Sequence, residues 1–315
     1  MVPVDSRIKP RRLRQGDRVG IISPASPPED PVAVARGLEQ LRRWGLQPYL
    51  APHALRREGY LAGNDEQRLA DIHAMFLDPE VKAIWCLRGG YGSLRLLPGL
   101  DLGVIRQNPK LFIGYSDITA LHLVLVQGAG LVTLHGPMVA TELSAGLDRF
   151  SARSLLRHLF SGQPAGLLAN PPGGPRVVTI NPGVATGELL GGNLSLVAST
   201  AGTPYQPRTR GSLLFLEEVG EEPYRVDRLL TQLLLAGMLD GVAGILFGDT
   251  AGPQSAGSGN LVEVLRDRLG NLPFPCCYGL ALGHGLPQAT LPLGVQAVLD
   301  ADRGTLNLVE PATVP

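Results

Sequence analysis

The stretch Lys110-Leu-Phe-Ile-Gly-Tyr-Ser-Asp-Ile-Thr-Ala-Leu-His122 passes from an apolar run into a sequence with helical periodicity. The run up to Tyr115 predicts a buried strand, and residues 117–127 predict a helix that begins directly after Ser116. A strand that turns at once into a helix is typical of a parallel sheet covered by helices on both faces. The stretch therefore predicts an α/β fold, with Ser116 at the end of one strand.

The residues on either side of this stretch alternate in the same way, which extends the parallel sheet. Apolar side chains recur at helical spacing in some segments, and short apolar runs bounded by loops lie between them. The predicted strands are 18–24, 81–87, 111–115 and 130–134, and the predicted helices are 32–44, 65–76, 91–97 and 117–127. These elements predict an N-terminal domain over residues 1–160.

The composition of the sequence changes at residues 161–182. This segment contains too much Gly and Pro for a continuous helix or strand, and it predicts a linker. Residues 183–315 then predict a smaller domain of mixed α/β type. Its predicted elements are strands 212–216 and 242–247, a helix over 223–235, and a hairpin of strands 295–299 and 305–309.

Composition excludes several classes of function. The chain has 315 residues, and its 28 Lys and Arg residues equal its 28 Asp and Glu residues in number. The protein therefore has no net positive charge that would attract nucleic acid or an anionic membrane. Residues 1–17 hold no apolar stretch of the kind that a secretory signal requires, and no run is long enough to span a membrane. The three cysteines form neither a disulfide framework nor a zinc-site spacing. We expect a cytoplasmic protein without a metal or another cofactor.

Ser116 is a candidate nucleophile because ligands bind beyond the carboxyl ends of parallel strands. At the start of a helix its hydroxyl would meet free N–H groups, and the N–H of Asp117 could face an oxyanion. A simple helix cap fits the same residue types. The Gly-x-Ser-x-Gly elbow of the α/β-hydrolases is not met, since Ile118 stands at its second glycine.

The preceding predicted strand ends in Arg88-Gly-Gly-Tyr-Gly92, and these glycines would lie beside Ser116 if consecutive strands are neighbours. Gly90 is then a candidate for a second oxyanion donor, because glycine presents a bare N–H group. A tight turn or a phosphate loop is the alternative. The sequence meets neither the Walker nor the Gly-x-Gly-x-x-Gly pattern.

A serine nucleophile needs a base and an acid that orients it. Of the six histidines, His284 lies between two glycines in a loop, and His135 follows a predicted strand as a residue that could line a site. Glu217 and Glu218 end an apolar run, and Glu217, the first residue after the predicted strand, is better placed to point into a crevice. An exposed loop histidine and two solvated strand-end acids remain the alternatives.

Taken together, these motifs resemble the LD-carboxypeptidases, serine peptidases related to the microcin C immunity proteins. The resemblance runs from about Gly16 to Val309 in the order of the family's motifs. It is carried by Arg88-Gly-Gly-Tyr-Gly92, Gly114-Tyr-Ser-Asp-Ile-Thr119, Gly191-Gly-Asn-Leu194, Leu214-Phe-Leu-Glu-Glu218, Pro223-Tyr-Arg-Val-Asp-Arg228 and Gly283-His-Gly285.

The resemblance implies a role for each matching position. Ser116 would be the nucleophile, His284 the base and Glu217 the acid, with the N–H groups of Gly90 and Asp117 as the oxyanion hole. It also implies an N-terminal domain like that of the class I glutamine amidotransferases, a C-terminal β/α domain, and a homodimer. Glu218 stands where many members have Asp.

The implied reaction removes the terminal D-Ala of murein tetrapeptides at its amide with meso-diaminopimelate, in peptidoglycan recycling. The substrate's terminal carboxylate would meet Arg88, Arg225 or backbone N–H groups, and the sequence does not choose between them.

Two alternatives come from different classes of function. A microcin C immunity-type hydrolase would cleave acyl-sulfamoyl or aminoacyl adenylates with the same three residues. Such relatives typically hold the base with an aromatic side chain, and residues 164–182 contain none. A non-catalytic module that binds a small molecule is the second alternative. A glutamine amidotransferase would need a cysteine in place of Ser116.

Overall fold

The computed structural model describes residues 7–248 and 260–315, which divide into two compact units. Each unit is built on its own sheet, and the predicted α/β class is confirmed. Of the described residues, the first unit comprises 7–163, 290–294 and 311–315, and the second comprises 164–248, 260–289 and 295–310.

The regular elements are numbered in chain order. The strands are β1 (Arg18–Ile22), β2 (Gln47–Leu50), β3 (Val81–Cys86), β4 (Leu111–Gly114), β5 (Thr133–His135), β6 (Gly166–Leu168), β7 (Val178–Asn181), β8 (Val184–Asn193), β9 (Ser212–Glu217), β10 (Gly244–Gly248), β11 (Cys276–Leu280), β12 (Leu291–Leu293), β13 (Gln296–Asp300) and β14 (Thr305–Leu308). The α-helices are α1 (Pro31–Arg43), α2 (Asp65–Leu77), α3 (Leu102–Gln107), α4 (Thr119–Val124), α5 (Arg149–Phe160), α6 (Leu194–Ser199), α7 (Pro223–Leu235) and α8 (Leu261–Leu269).

The sheet of the first unit has the strand order β12-β5-β4-β3-β1-β2. All neighbours are parallel except β12, which pairs antiparallel with β5. The central strand β4 is buried along its whole length, as expected where helices cover both faces of a parallel sheet. Phe112 of this strand stacks on Phe76 of α2, with ring centroids 6.4 Å apart. The ends of these strands position the loops that carry Ser116 and its neighbours.

The second unit has a mixed sheet of order β6-β14-β13-β8-β9-β10-β11-β7. Strands β8 to β11 are parallel, and antiparallel strands flank them on both sides. The predicted hairpin is present as β13 and β14, paired from Ala297 with Leu308 to Asp300 with Thr305. Strand β9, at the centre, is buried throughout and ends at Glu217.

Several elements differ from the sequence-based expectation. The segment expected as a linker, residues 161–182, contains β6 and β7, and the stretch 290–294 belongs to the first unit through β12. The helix expected over 117–127 is divided into a 3₁₀ turn, α4 and a π-helical turn (Leu125–Ala129), and it ends at Gly130 with a left-handed φ of 75°. None of the helices that the structure describes is both long and apolar enough to cross a membrane.

Gly37 in α1 provides a test of this packing. Helix α1 packs on the π-helical turn Val139–Leu143, and a Cβ atom at Gly37 would overlap the carbonyl oxygen of Val139. Alanine normally stabilises a helix by about 1 kcal/mol over glycine. We expect Gly37→Ala to lower the free energy of unfolding instead, by roughly 1–3 kcal/mol, because backbone would have to move.

Urea denaturation of the purified variant measures this effect. Gly103→Ala, in α3, is the matched control, since the added methyl group would meet only the Asp101 carboxylate, at 3.1 Å. Equal stability of Gly37→Ala and the wild type would contradict the packing described for α1.

Candidate active site

Ser116 lies in the turn that leaves β4, and its backbone has a φ of 65°. Among the described residues it is the one non-glycine residue with a positive φ, a conformation that is strained for a side chain with a Cβ atom. Neither short helix after the turn has a side-chain cap, so Ser116 does not serve as the helix cap that its residue type would suit. Its conformation resembles that of a nucleophile raised on a sharp strand-to-helix turn.

The glycine loop that follows β3 lies directly against Ser116. A Cβ atom at Gly89 would be 2.9 Å from the Ser116 Cβ, 3.1 Å from its Oγ and 3.3 Å from the Asp117 nitrogen. Position 89 therefore has to lack a side chain. Gly90 has a φ of 107°, and the next N–H, from Tyr91, donates to Ser26 Oγ at 3.1 Å. The expected neighbourhood of the glycines and the serine is present in the first unit.

The side chain of Asp117 ties the serine turn to this loop. Its buried carboxylate accepts a hydrogen bond from the Ser93 backbone N–H at 2.8 Å, while the Ser93 hydroxyl donates to the Asp117 carbonyl. Burial raises the pKa of the Asp117 carboxyl, an effect that its hydrogen bonds from Ser93 and Gly92 oppose. The backbone N–H of Asp117, at the first turn of a helix, is the group predicted to face an oxyanion.

Arg68 is a second anchor of the loop, and the sequence analysis did not identify it. Its side chain is 1% exposed and donates to the carbonyl oxygens of Pro24 at 2.6 Å and Gly92 at 3.0 Å. It also pairs with Asp65. The helical pattern of residues 65–76 could have indicated this role. It places Arg68 at a buried position of the helix, and a buried arginine requires hydrogen-bond partners.

Two further side chains hold the residues before Ser116. The Tyr115 hydroxyl donates to Glu142 Oε1 at 2.7 Å. His122 is buried, its Nε2 donates to the Gly114 carbonyl at 2.8 Å, and its Nδ1 lies 2.9 Å from Thr133 Oγ1. Burial lowers the pKa of His122 to about 4, so the ring is neutral at neutral pH. His135, which we expected to line a site, is buried in β5 with its ring 5.5 Å from that of Tyr115.

In the second unit, Glu217 and His284 form a hydrogen-bonded pair. His284 Nδ1 lies 2.7 Å from Glu217 Oε2, and the Glu217 side chain is fully buried whereas that of His284 is 16% exposed. Glu217 is the last residue of β9. The prediction from the sequence, which placed it directly after the strand, was one residue off. Gly283 has to lack a side chain next to this pair, because a Cβ atom at position 283 would lie 2.7 Å from the Glu217 Cβ.

Glu218 contacts different residues from Glu217 and has a different role. Its carboxylate accepts hydrogen bonds from Asn193 Nδ2 at 2.9 Å, from the Val219 N–H at 3.0 Å, and from both the N–H and the hydroxyl of Ser195. These contacts fix the start of α6, where Asn193 is the N-cap. Glu218 is therefore a structural acid, and neither carboxylate is a solvated strand-end charge.

The two arginines considered for a terminal carboxylate both have acidic partners. Arg88, in the glycine loop, pairs with the exposed Glu29. Arg225, on α7, lies 3.3 Å from Glu221 and donates to the Tyr224 hydroxyl. The described residues include no group of three or more His, Cys, Asp or Glu side chains that could hold a metal ion.

Comparison with known proteins identifies the family. A model of the LD-carboxypeptidase N-terminal domain matches residues 19–136, and a model of the LD-carboxypeptidase C-terminal domain matches residues 186–299. The chain belongs to the LD-carboxypeptidase family. Membership makes it a serine-type peptidase, and each family model covers the core of one unit.

Individual relatives agree with this assignment. The LD-carboxypeptidase is 43% identical over 302 residues to a probable murein peptide carboxypeptidase from Bacillus subtilis, covering 94% of this chain and 93% of the relative. Its fold matches a muramoyltetrapeptide carboxypeptidase from Oxalobacter formigenes with a TM-score of 0.81 at 29% identity, covering 95% and 100% of the two chains. It also matches the microcin C7 self immunity protein in complex with adenosine monophosphate, with a TM-score of 0.89 at 26% identity and coverages of 97% and 99%.

The buried His122 predicts how stability depends on pH. A histidine pKa near 4 in the folded protein, against 6.5 without burial, means that the unfolded chain binds the proton first as the pH falls. The stability from a neutral His122 is therefore present above pH 6.5 and is lost progressively as the pH falls towards 4. We expect His122→Gln to lose less stability than the wild type over this range, measured by urea denaturation at matched pH values. Parallel pH dependences of the two proteins would contradict the assignment.

Proposed function

We propose that this LD-carboxypeptidase removes the terminal D-Ala from murein tetrapeptides, with Ser116 as the nucleophile, His284 as the general base and Glu217 as the acid that orients it. The observation that carries the proposal is the 2.7 Å hydrogen bond between His284 Nδ1 and the buried Glu217 carboxylate. A carboxylate at Nδ1 requires a proton there, and this places the lone pair of the neutral ring on Nε2. That nitrogen is the one that takes a proton from a serine hydroxyl.

The chemistry then follows in two halves. Ser116 Oγ attacks the carbonyl carbon of the L-centre of meso-diaminopimelate, and His284 takes the hydroxyl proton. The tetrahedral intermediate collapses when His284 returns this proton to the departing D-Ala nitrogen. Water, deprotonated by His284, attacks the acyl-enzyme. The second tetrahedral intermediate collapses with release of the tripeptide when His284 returns this proton to Ser116 Oγ.

The backbone N–H groups of Gly90 and Asp117 are the proposed oxyanion hole. Gly89 supports this role, because a Cβ atom at this position would lie 3.1 Å from Ser116 Oγ and 3.3 Å from the Asp117 nitrogen, so that only a bare backbone leaves room beside both groups. Donors that are fixed before the reaction stabilise the developing charge without reorganisation. Two hydrogen bonds hold the loop for this purpose: the Ser93 N–H donates to the Asp117 carboxylate, and Arg68 donates to the Gly92 carbonyl.

The substrate is proposed from the relatives. The Bacillus subtilis and Oxalobacter formigenes proteins are named for murein peptides and muramoyltetrapeptides. The microcin-type reaction is supported less, since residues 164–182 carry no aromatic side chain to hold a nucleobase. We further propose that the enzyme acts in the cytoplasm, as a homodimer, on peptides recovered from the cell wall.

Replacing the nucleophile tests catalysis directly. With L-Ala-γ-D-Glu-meso-diaminopimelate-D-Ala as the substrate, we expect Ser116→Ala to reduce the rate of D-Ala release by roughly 10⁴-fold or more, because no acyl-enzyme can form. An enzymatic assay of free D-Ala measures the rate, and Ser161→Ala at the end of α5 serves as the control.

The same assay separates the alternatives. Full turnover by Ser116→Ala would exclude the serine mechanism. Failure of the wild type to release D-Ala would exclude the proposed substrate. Loss of wild-type turnover on addition of a chelator would exclude a mechanism that depends on the three side chains alone.

The adjacent acids form a matched pair of variants. We expect Glu217→Gln to lower kcat by roughly 10²–10⁴-fold, since an amide no longer stabilises a protonated His284. Glu218→Gln should lower the free energy of unfolding by roughly 1.5–3 kcal/mol, because an amide NH₂ would face the donors of Asn193 or Ser195. Kinetics and urea denaturation of both variants give the comparison, and a larger kcat loss in Glu218→Gln would reverse the assignment.

A further inference from the structure

A surface cavity of about 390 Å³ lies in the second unit beside the start of α7. Its volume is within the range of small-molecule sites. The lining side chains are Ser195, Glu221, Arg225, Arg228 and Leu229. Positions 225, 228 and 229 are three and four residues apart, so they share one face of the helix. The cavity therefore combines two guanidinium groups, one carboxylate, one hydroxyl and one apolar side chain.

The charges in this cavity do not cancel. Arg225 lies 3.3 Å from Glu221, which forms one ion pair. Arg228 has its guanidinium carbon 5.8 Å from the centre of the Tyr224 ring, and none of the described carboxylates pairs with it. Asp227, the nearest acid along the chain, lies 3.3 Å from Arg268 of α8 instead. The Arg228 guanidinium thus lines the cavity with an aromatic ring as its neighbour and no counter-charge within 7–248 and 260–315.

Ser195 gives the cavity a hydrogen-bond acceptor. Its hydroxyl donates to Glu218 Oε2 at 2.6 Å, so the remaining capacity of the oxygen is to accept. Ser195 is the second residue of α6, and Glu218 follows Glu217 at the end of β9. The cavity is therefore connected, through one hydrogen bond and one peptide unit, to the acid that contacts His284.

We propose that this cavity binds the free zwitterionic end of the diaminopimelate residue of the substrate. The carboxylate at that end pairs with Arg228 and Arg225, and the ammonium group pairs with Glu221 and the Ser195 oxygen. Leu229 packs against the methylene groups between the two centres of the residue. This inference rests on the proposed function, because it assigns a subsite for one residue of that substrate.

The composition of the cavity favours a zwitterion over a simple ion. A phosphate or an isolated carboxylate could pair with Arg228 but would leave Glu221 and the Ser195 oxygen without a partner on the ligand. An isolated ammonium group would meet two guanidinium groups. An α-amino-acid end satisfies both signs of charge at once, and charged groups bound by hydrogen bonds contribute strongly to selectivity.

Two tetrapeptides test the proposal, one with meso-diaminopimelate and one with L-Lys as the third residue. Lysine keeps the ammonium group and lacks the second carboxylate. We expect the wild type to prefer the diaminopimelate substrate by about tenfold or more in kcat/KM. Arg228→Gln should lose about tenfold on that substrate, mainly through KM, and change little on the lysine substrate. Glu221→Gln should weaken both substrates, because both carry the ammonium group.

Arg303→Gln is the matched control, since this side chain is 82% exposed in the β13–β14 turn. Equal losses on both substrates in Arg228→Gln, or no loss on either, would overturn the proposal. Calorimetry with the two product tripeptides measures binding to the subsite independently of catalysis. If the wild type binds the diaminopimelate tripeptide more tightly than the lysine tripeptide and Arg228→Gln removes this preference, the subsite is supported even where no D-Ala is released.

Discussion

The left-handed backbone of Ser116 is the constraint on which the surrounding loops of the first unit depend. A side chain in this conformation costs of the order of 1–3 kcal/mol, and the surroundings have to hold it there. The residues around the serine do so with their own side chains: the Tyr115 hydroxyl donates to Glu142, and the Asp117 carboxylate accepts from the Ser93 N–H. The Gly114 carbonyl is held by His122 in the same way. Ser116 itself is left out of this network, and its hydroxyl stays available for chemistry.

The second unit gives two adjacent acids different surroundings. Successive side chains of a strand point to opposite faces, so neighbours at the end of β9 reach different partners. Glu218 accepts hydrogen bonds on both oxygens and fixes the start of α6. Glu217 contacts His284 through Oε2, and its buried Oε1 accepts no hydrogen bond from any described residue. Its charge is therefore directed to the imidazole.

Sequence patterns predicted four of the five parallel strands of the first sheet and the position of Ser116, because local hydrophobicity determines both; they did not predict β2, whose side chains are only partly buried. They did not predict the serine's φ, since the residue type equally suits a helix cap. Strands β6 and β7 were taken for a linker because each forms an edge of its sheet, where short strands rich in Gly and Pro are common. The pairing of β12 with β5 joins residues more than 150 positions apart, and no local pattern encodes such a contact.

That pairing has a consequence for synthesis on the ribosome. Until residues 291–293 leave the exit tunnel, β5 is the open border of the first sheet, with a row of backbone groups that water alone satisfies. Domains generally fold from the N-terminus as they emerge, yet here almost the whole second unit is translated before the first sheet can close. The nascent chain thus carries an unpaired strand edge for about half of its translation. This edge is only three residues long in β5, which limits the danger of pairing with another chain.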